Sequence, residues 1–169
     1  MTITTNEAAV PVSGERFRSI MGEVCAQVAV VTTTTEAGPH GTTVTAFCSL
    51  SLDPPMVCVA LDRGSRLLAA VHDTRRVGIN LLAEGHDALA MRFASKGDDK
   101  FAGTAWALDA GLPRLDGNAG WIAGEVVDFV DGGDHVVLFC LVTAVDTAGR
   151  RPLVYSRRTF GTHSGLLSA

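Results

Sequence analysis

At 169 residues, with 47% hydrophobic and 19% charged side chains, the chain is the size of one domain and carries enough apolar material for a substantial core. A net charge of −4 with no basic block excludes nucleic acid as a main partner. No apolar run approaches the roughly 20 residues of a bilayer-spanning helix, and residues 1–13 lack the basic start and apolar centre of a secretory leader, so a cytoplasmic protein without a membrane segment is expected.

So apolar a composition for a small chain predicts surface given over to a second copy, hence a homodimer. Residues 1–13, rich in Thr, Ala and Pro, read as a loose arm, and residues 14–169 as the domain. From Ser13, an N-cap residue type, the apolar residues Phe17, Ile20, Met21, Val24 and Cys25 recur at i, i+3, i+4, i+7 and i+8, which predicts an amphipathic helix. Gln27–Thr35 is β-branched and reads as a strand, and the turn residues of EAGPHG send the chain back into a second one.

That second stretch, GTTVTAFCSLSLDPP over residues 41–55, alternates. As a single strand it places Thr43, Thr45, Phe47, Ser49 and Ser51 on one side and Val44, Ala46, Cys48, Leu50 and Leu52 on the other. Pro54 and Pro55 end it and Met56–Leu61 begins a third strand. A row of hydroxyls beside free backbone amides suits a phosphate or a polyol chain, although threonine is also common on half-exposed strands for packing reasons alone.

Ser65–His72 reads as a short helix and Val77–Ala83 as a strand interrupted by one polar residue, Asn80, whose amide must bond either backbone or a ligand. Gly85–Ala94 is helical, with Leu89, Met91 and Phe93 as its apolar members. The following SKGDDKF holds both lysines of the chain, Lys96 and Lys100; it is either a solvated loop balanced by Asp98 and Asp99 or a grip for a phosphate. The chain then runs irregularly to Arg114, anchored by Trp106. Ala119–Val130 and His135–Val145 form two strands reversed by DGGD, and Pro152–Phe160 a last one.

Cysteines 25, 48, 58 and 140 sit singly inside apolar runs and read as buried, reduced thiols, and neither they nor the scattered histidines form a metal-ligand pattern. The sum is a mainly β chain of six or seven antiparallel strands with two or three short helices. Without βαβ alternation or a GxGxxG after the first strand, it fits a closed or partly split antiparallel barrel better than a dinucleotide-binding α/β fold.

GTTVTAFCSLSLDPPMV, VGINLLA, MRFASKGDDKF, the tripeptide Gly133-Asp134-His135 and PLVYSRRTF follow one another in an order that resembles the short-chain flavin reductases, over about Phe17 to Gly161. Members of that family supply reduced flavin to two-component monooxygenases. The resemblance implies an FMN-binding split β-barrel of Greek-key type, working as a homodimer with flavin in a groove near the subunit interface. It implies that Thr43, Val44, Thr45 and Ala46 run along the isoalloxazine edge and ribityl chain, that Ser49 and Ser65 face the ribityl-phosphate side, and that Asn80 and Leu82 lie beside the flavin. Phe93, Ser95, Lys96 and Phe101 are implied to close over the phosphate and the adenine half, His135 to contact the nicotinamide nucleotide, and Tyr155 to lie close by. Thr45-Ala46 departs from the Ser-Ser or Ser-Ala pair frequent there, and Arg63-Gly64 from the Asn or Arg-Thr often found before the residue matching Ser65.

The implied reaction is hydride transfer from a reduced nicotinamide to flavin, which needs stacked, oriented rings and no protein nucleophile. FAD is expected, with FMN as the alternative, because Phe93 and Phe101 beside the lysines suit an adenine. NADH is expected over NADPH because no arginine cluster is dedicated to a 2′-phosphate. The implied partner is a flavin-dependent monooxygenase reached by diffusing reduced flavin. A non-catalytic flavin-binding barrel and a pyridoxamine-phosphate-type oxidase are the rival readings.

Overall fold

The computed structural model describes residues 10–97 and 99–166. Helix α1 (Gly14–Met21) starts where the spacing places it, with the Ser13 hydroxyl accepting the Arg16 N–H at 3.4 Å. Its apolar residues Phe17, Ile20 and Met21, and Val24 beyond it, nevertheless stay exposed. The amphipathic pattern is real, and nothing among the described residues covers its apolar face. Of the arm read over residues 1–13, the first nine lie outside the described residues.

After β1 (Ala26–Gln27) come β2 (Ala29–Thr35), β3 (Gly38–Val44), β4 (Phe47–Leu52) and β5 (Pro55–Asp62). Helix α2 (Arg66–Thr74), β6 (Arg76–Leu81) and α3 (Asp87–Ala94) follow, then β7 (Trp106–Asp109) and β8 (Leu112–Leu115). The long pair β9 (Gly120–Gly132) and β10 (His135–Thr147) precedes two short strands, β11 (Val154–Ser156) and β12 (Thr159–Gly161). Seven strands form one antiparallel sheet in the order β3-β2-β6-β9-β10-β5-β4.

Residues 41–55 are therefore not one strand. Val44 on β3 opposes Ala29 on β2, whereas Phe47 on β4 opposes Val59 on β5, so consecutive strands occupy opposite edges of the sheet. The chain crosses between the edges at Thr45-Ala46, and the Ala60 N–H donates to the Ala46 carbonyl at 2.8 Å on arrival. This crossing curls the sheet toward closure: Ala29, Val31 and Val44 from one edge meet Val57, Val59 and Leu61 from the other in a single core. Leu67, Leu68 and Val71 of α2 join that core, each fully buried aliphatic chain contributing ~1.5–3 kcal/mol.

A second core lies beneath α3, where Ala90 and Phe93 pack on Val28, Val30, Leu82, Phe101, Leu115 and Leu153. The stretch read as irregular contains the β7–β8 hairpin, and Trp106, expected as an anchor, is 36% exposed with its ring edge against Phe101 at 5.4 Å. The last predicted strand is a hairpin, since Arg157 and Arg158 turn the chain in left-handed conformations with φ of 49° and 60°. Arg157 is held there by an ion pair with Glu23 and by its N–H donating to the Gly22 carbonyl at 2.8 Å, which ties the small sheet to the end of α1.

Candidate functional site

A cleft of about 690 Å³ opens between β3, the start of α2 and the loop after α3. Its walls come from His40, Gly41 and Thr42, from Asp62 and Gly64–Leu67, and from Ala94–Gly97 with Lys100 and Phe101. Ser65 is the N-cap of α2 by position and backbone angles, yet its hydroxyl makes no capping bond. The first-turn amides, which have no partner within a helix, are thus left uncapped by a side chain beside the cleft, with the positive end of the helix dipole. Asp62 shapes the approach: its carboxylate accepts the Gly64 N–H at 2.7 Å and its carbonyl the Ser65 N–H at 2.9 Å.

The two lysines of SKGDDKF separate. Lys100 Nζ donates to the Phe93 carbonyl at 2.8 Å and to the Gly41 carbonyl at 3.2 Å, tying the end of α3 to the edge of β3. Burial, and then the nearby Arg66 charge, hold its pKa below the ordinary lysine value. Among the described residues Lys96 makes no hydrogen bond or ion pair, and it faces the cleft with Ser95, whose Oγ donates to the Arg92 carbonyl at 2.8 Å. Arg66 Nη2 donates to the Gly97 carbonyl at 2.9 Å and so joins the two walls. Asp98 of the same loop lies outside the described residues.

The floor is tight. A Cβ on Gly41 would lie 2.8 Å from the Phe93 ring and 3.3 Å from Phe101, so glycine is required for β3 to lie directly on the aromatic pair. Phe93 and Phe101 meet edge to face at 5.0 Å.

Several residues expected at a ligand do not reach the cleft. Phe93 is wholly buried and acts through Phe101, which alone of the pair reaches the lining. Val44 and Leu82 are core residues. The Thr43 hydroxyl is already used, donating to the Ala90 carbonyl at 2.6 Å and anchoring α3. Asn80 resolves in favour of protein partners: its amide donates to the Val30 carbonyl at 3.1 Å and the Pro113 carbonyl at 3.3 Å. Its Oδ1 accepts the Leu115 N–H and the Asn118 Nδ2–H, both at 2.7 Å. With every position taken and no exposure, Asn80 clamps β8 and the loop before β9 to β2 and has nothing left for a ligand.

Thr45, Ala46 and Ser49 are exposed on the crossing and on β4, outside the cleft lining. His135 sits at the mouth of the β9–β10 hairpin, opposite Asp62 on β5, beside the loop that leads into Ser65. Its Nδ1–H donates to the Asp134 carboxylate at 2.8 Å, and this bond lowers the Asp134 pKa. Arg63 braces the same turn, donating from Nε to the Gly133 carbonyl at 2.7 Å and pairing with Asp131 at 2.8 Å. Tyr155 belongs to the small sheet and packs on Phe160 at 4.9 Å; among the described residues no hydrogen bond or ring contact joins it to His135.

One chain thus brings Ser65, Ser95, Lys96 and Phe101 together and adds Thr42, His40 and Arg66, which the sequence reading left out. The arginine was findable, since Ser65-Arg66 opens a helix where charge and unpaired amides coincide. His40, on the edge strand β3 but within the sequence EAGPHG that reads as a turn, offered no comparable signal.

Fold and cleft define an antiparallel split barrel with an opening lined by the start of a helix and by Lys96. Residues 21–164 match the flavin reductase like domain. The reductase subunit HsaB of a flavin-dependent monooxygenase from Mycobacterium tuberculosis is 35% identical over 154 residues, an alignment covering 89% of this chain and 81% of that one. An FMN reductase (NADH), RutF, from Ancylobacter novellus is 35% identical over 158 residues, covering 91% and 87%. Among solved structures, a homologue of nitrilotriacetate monooxygenase component B from Mycobacterium thermoresistibile superposes with a TM-score of 0.85 at 35% identity, covering 90% of this chain and 87% of that one. The chain belongs to the flavin reductase family.

Proposed function

We propose that the protein transfers hydride from NADH to a diffusible flavin, FAD in preference to FMN, and delivers the reduced flavin to a flavin-dependent monooxygenase. The observation that carries the site assignment is the uncapped start of α2 beside the same cleft as Lys96, which has no partner among the described residues. Backbone donors, the Ser65 hydroxyl and one free ammonium suit a phosphate ester with a polyol chain, and the volume lies in the ordinary range for a cofactor pocket.

The crossing supplies the second part of the site. Lys100 takes the Gly41 carbonyl from the outer side of β3. By antiparallel alternation the Thr43 amide also faces away from β2, so it can meet a ring edge although its hydroxyl is committed. Flavin, when bound, supplies the hydride-accepting ring. His135 positions the nicotinamide: with Nδ1 engaged by Asp134, Nε2 is the ring nitrogen left to meet the carboxamide.

The exposed apolar face of α1 supports a homodimer, and a second copy would complete the groove around Thr45, Ala46 and Ser49. No helix among the described residues is long and apolar enough to cross a membrane, and we place the protein in the cytoplasm. A steady-state assay following NADH or NADPH oxidation with no flavin, FMN or FAD tests the reading. The expected result is turnover that depends on added flavin and is most efficient with NADH and FAD. Absence of turnover in a protein that retains flavin through gel filtration would overturn it.

A further inference from the structure

Two of the four cysteines have a relation that the function above leaves unused. Cys48 on β4 and Cys58 on β5 are direct cross-strand partners, with Sγ atoms 3.2 Å apart. They share the outer face of the sheet, Cys48 exposed and Cys58 half-buried, while their neighbours Val57 and Val59 point into the core. The Ala60 N–H donates to the Ala46 carbonyl, so two residues further on Cys48 and Cys58 again fall at a hydrogen-bonded position. There the Cα atoms of a regular ladder are about 5.5 Å apart, inside the range that a disulfide spans.

The spacing distinguishes between the two uses of paired thiols. A metal held by two thiolates at about 2.3 Å each, in tetrahedral geometry, would spread the sulfurs to about 3.8 Å. A separation of 3.2 Å is shorter than that and closer to bond formation. We propose that Cys48 and Cys58 are a reversible dithiol switch, closed to an intrachain disulfide by hydrogen peroxide.

The Cys48 thiolate attacks the peroxide, breaking the O–O bond, giving a sulfenic acid and releasing hydroxide, which takes up the thiol proton to become water. The Cys58 sulfur then displaces the sulfenic oxygen, which leaves with a proton as a second water; two thiols are oxidised and one peroxide is reduced. Burial, followed by its hydrogen bond to Cys48, raises the Cys58 pKa, consistent with Cys48 acting first and Cys58 resolving. Cys140 lies in the core with its thiol pushed up to about 12, and Cys25 has no thiol beside it. Closure would fasten the edge strand β4 to β5 two residues beyond Ala46.

The test exposes the reduced full-length protein to one equivalent of hydrogen peroxide, then titrates thiols and maps fragments without reductant. Cleavage after Glu36 and before Asp53 places Cys25, Cys48 and Cys58 on separate fragments. The expected result is a fall from four free thiols per chain to two, a Cys48–Cys58 cross-linked fragment lighter by two hydrogens, and full recovery with dithiothreitol. In Cys58→Ser the same dose should leave Cys48 as a sulfenic acid trapped by dimedone. Four remaining thiols, Cys48 driven to sulfinic acid beside a free Cys58, or a cross-link through Cys25 or between chains would each overturn the proposal.

Discussion

The cleft and the interior beneath β6 both hold polar side chains set among apolar neighbours, and they use them oppositely. Under β6, Asn80 has all its donors and acceptors engaged and no exposure. At the cleft, Ser65 leaves a helix start uncapped and Lys96 is without a partner among the described residues. A polar residue in an apolar run holds a fold together when the protein satisfies it, and becomes available to a ligand only when the protein leaves its bonding capacity open. Lys96 and Lys100 repeat this contrast within five residues of chain.

Asn80→Ala is the harshest way to break the contrast. It strips the Leu115 amide and the Asn118 side chain of their shared acceptor and takes one donor from the Pro113 carbonyl, which keeps the Thr32 hydroxyl at 2.7 Å, at a cost of about 3 kcal/mol or more. Urea denaturation should show that loss, while the flavin affinity of the folded fraction stays unchanged. A weakened flavin affinity at intact stability would restore Asn80 as a ligand residue.

Lys96→Ala should behave conversely, weakening flavin binding by ~1–3 kcal/mol through the lost charge-assisted bond with the thermal midpoint unmoved. Fluorescence titration and a melt on the same sample check both halves, and an unaltered titration would remove Lys96 from the site. Lys100→Met should cost about 1 kcal/mol of stability at neutral pH through its lost bonds to Phe93 and Gly41.

The pH dependence of Lys100 has a definite sign. Because its folded pKa lies below the ordinary 10.5, the unfolded chain binds more protons between the two values, so the Lys100 contribution to stability rises with pH across that window. Below the folded pKa the penalty of keeping the group charged is fully present. Stability curves of the wild type and Lys100→Met should therefore diverge progressively as pH climbs toward 10.5, and parallel curves would show that the ammonium is not held in a desolvated position.

The smallest expected effect is at the hairpin. His135→Ala should raise the KM for NADH about fivefold, the loss of one hydrogen bond, with flavin affinity nearly constant. An unchanged KM would reduce His135 to a turn residue held by Asp134.

Much of this protein was determined by sequence alone. The Ser13 cap, the alternating strands, the reversal before His135 and the ordered motifs of the reductase family are local or collinear, and such features survive reading one residue after another. Only tertiary structure decided that residues 41–52 divide between the two edges of a curled sheet, because periodicity reports which face a side chain takes and never which strand lies beside it. The same limit applies to the lysines: residue type made both candidates for a phosphate. The carbonyls of Gly41 and Phe93, brought together by the packing of α3 on β3, engaged Lys100 and left Lys96 open.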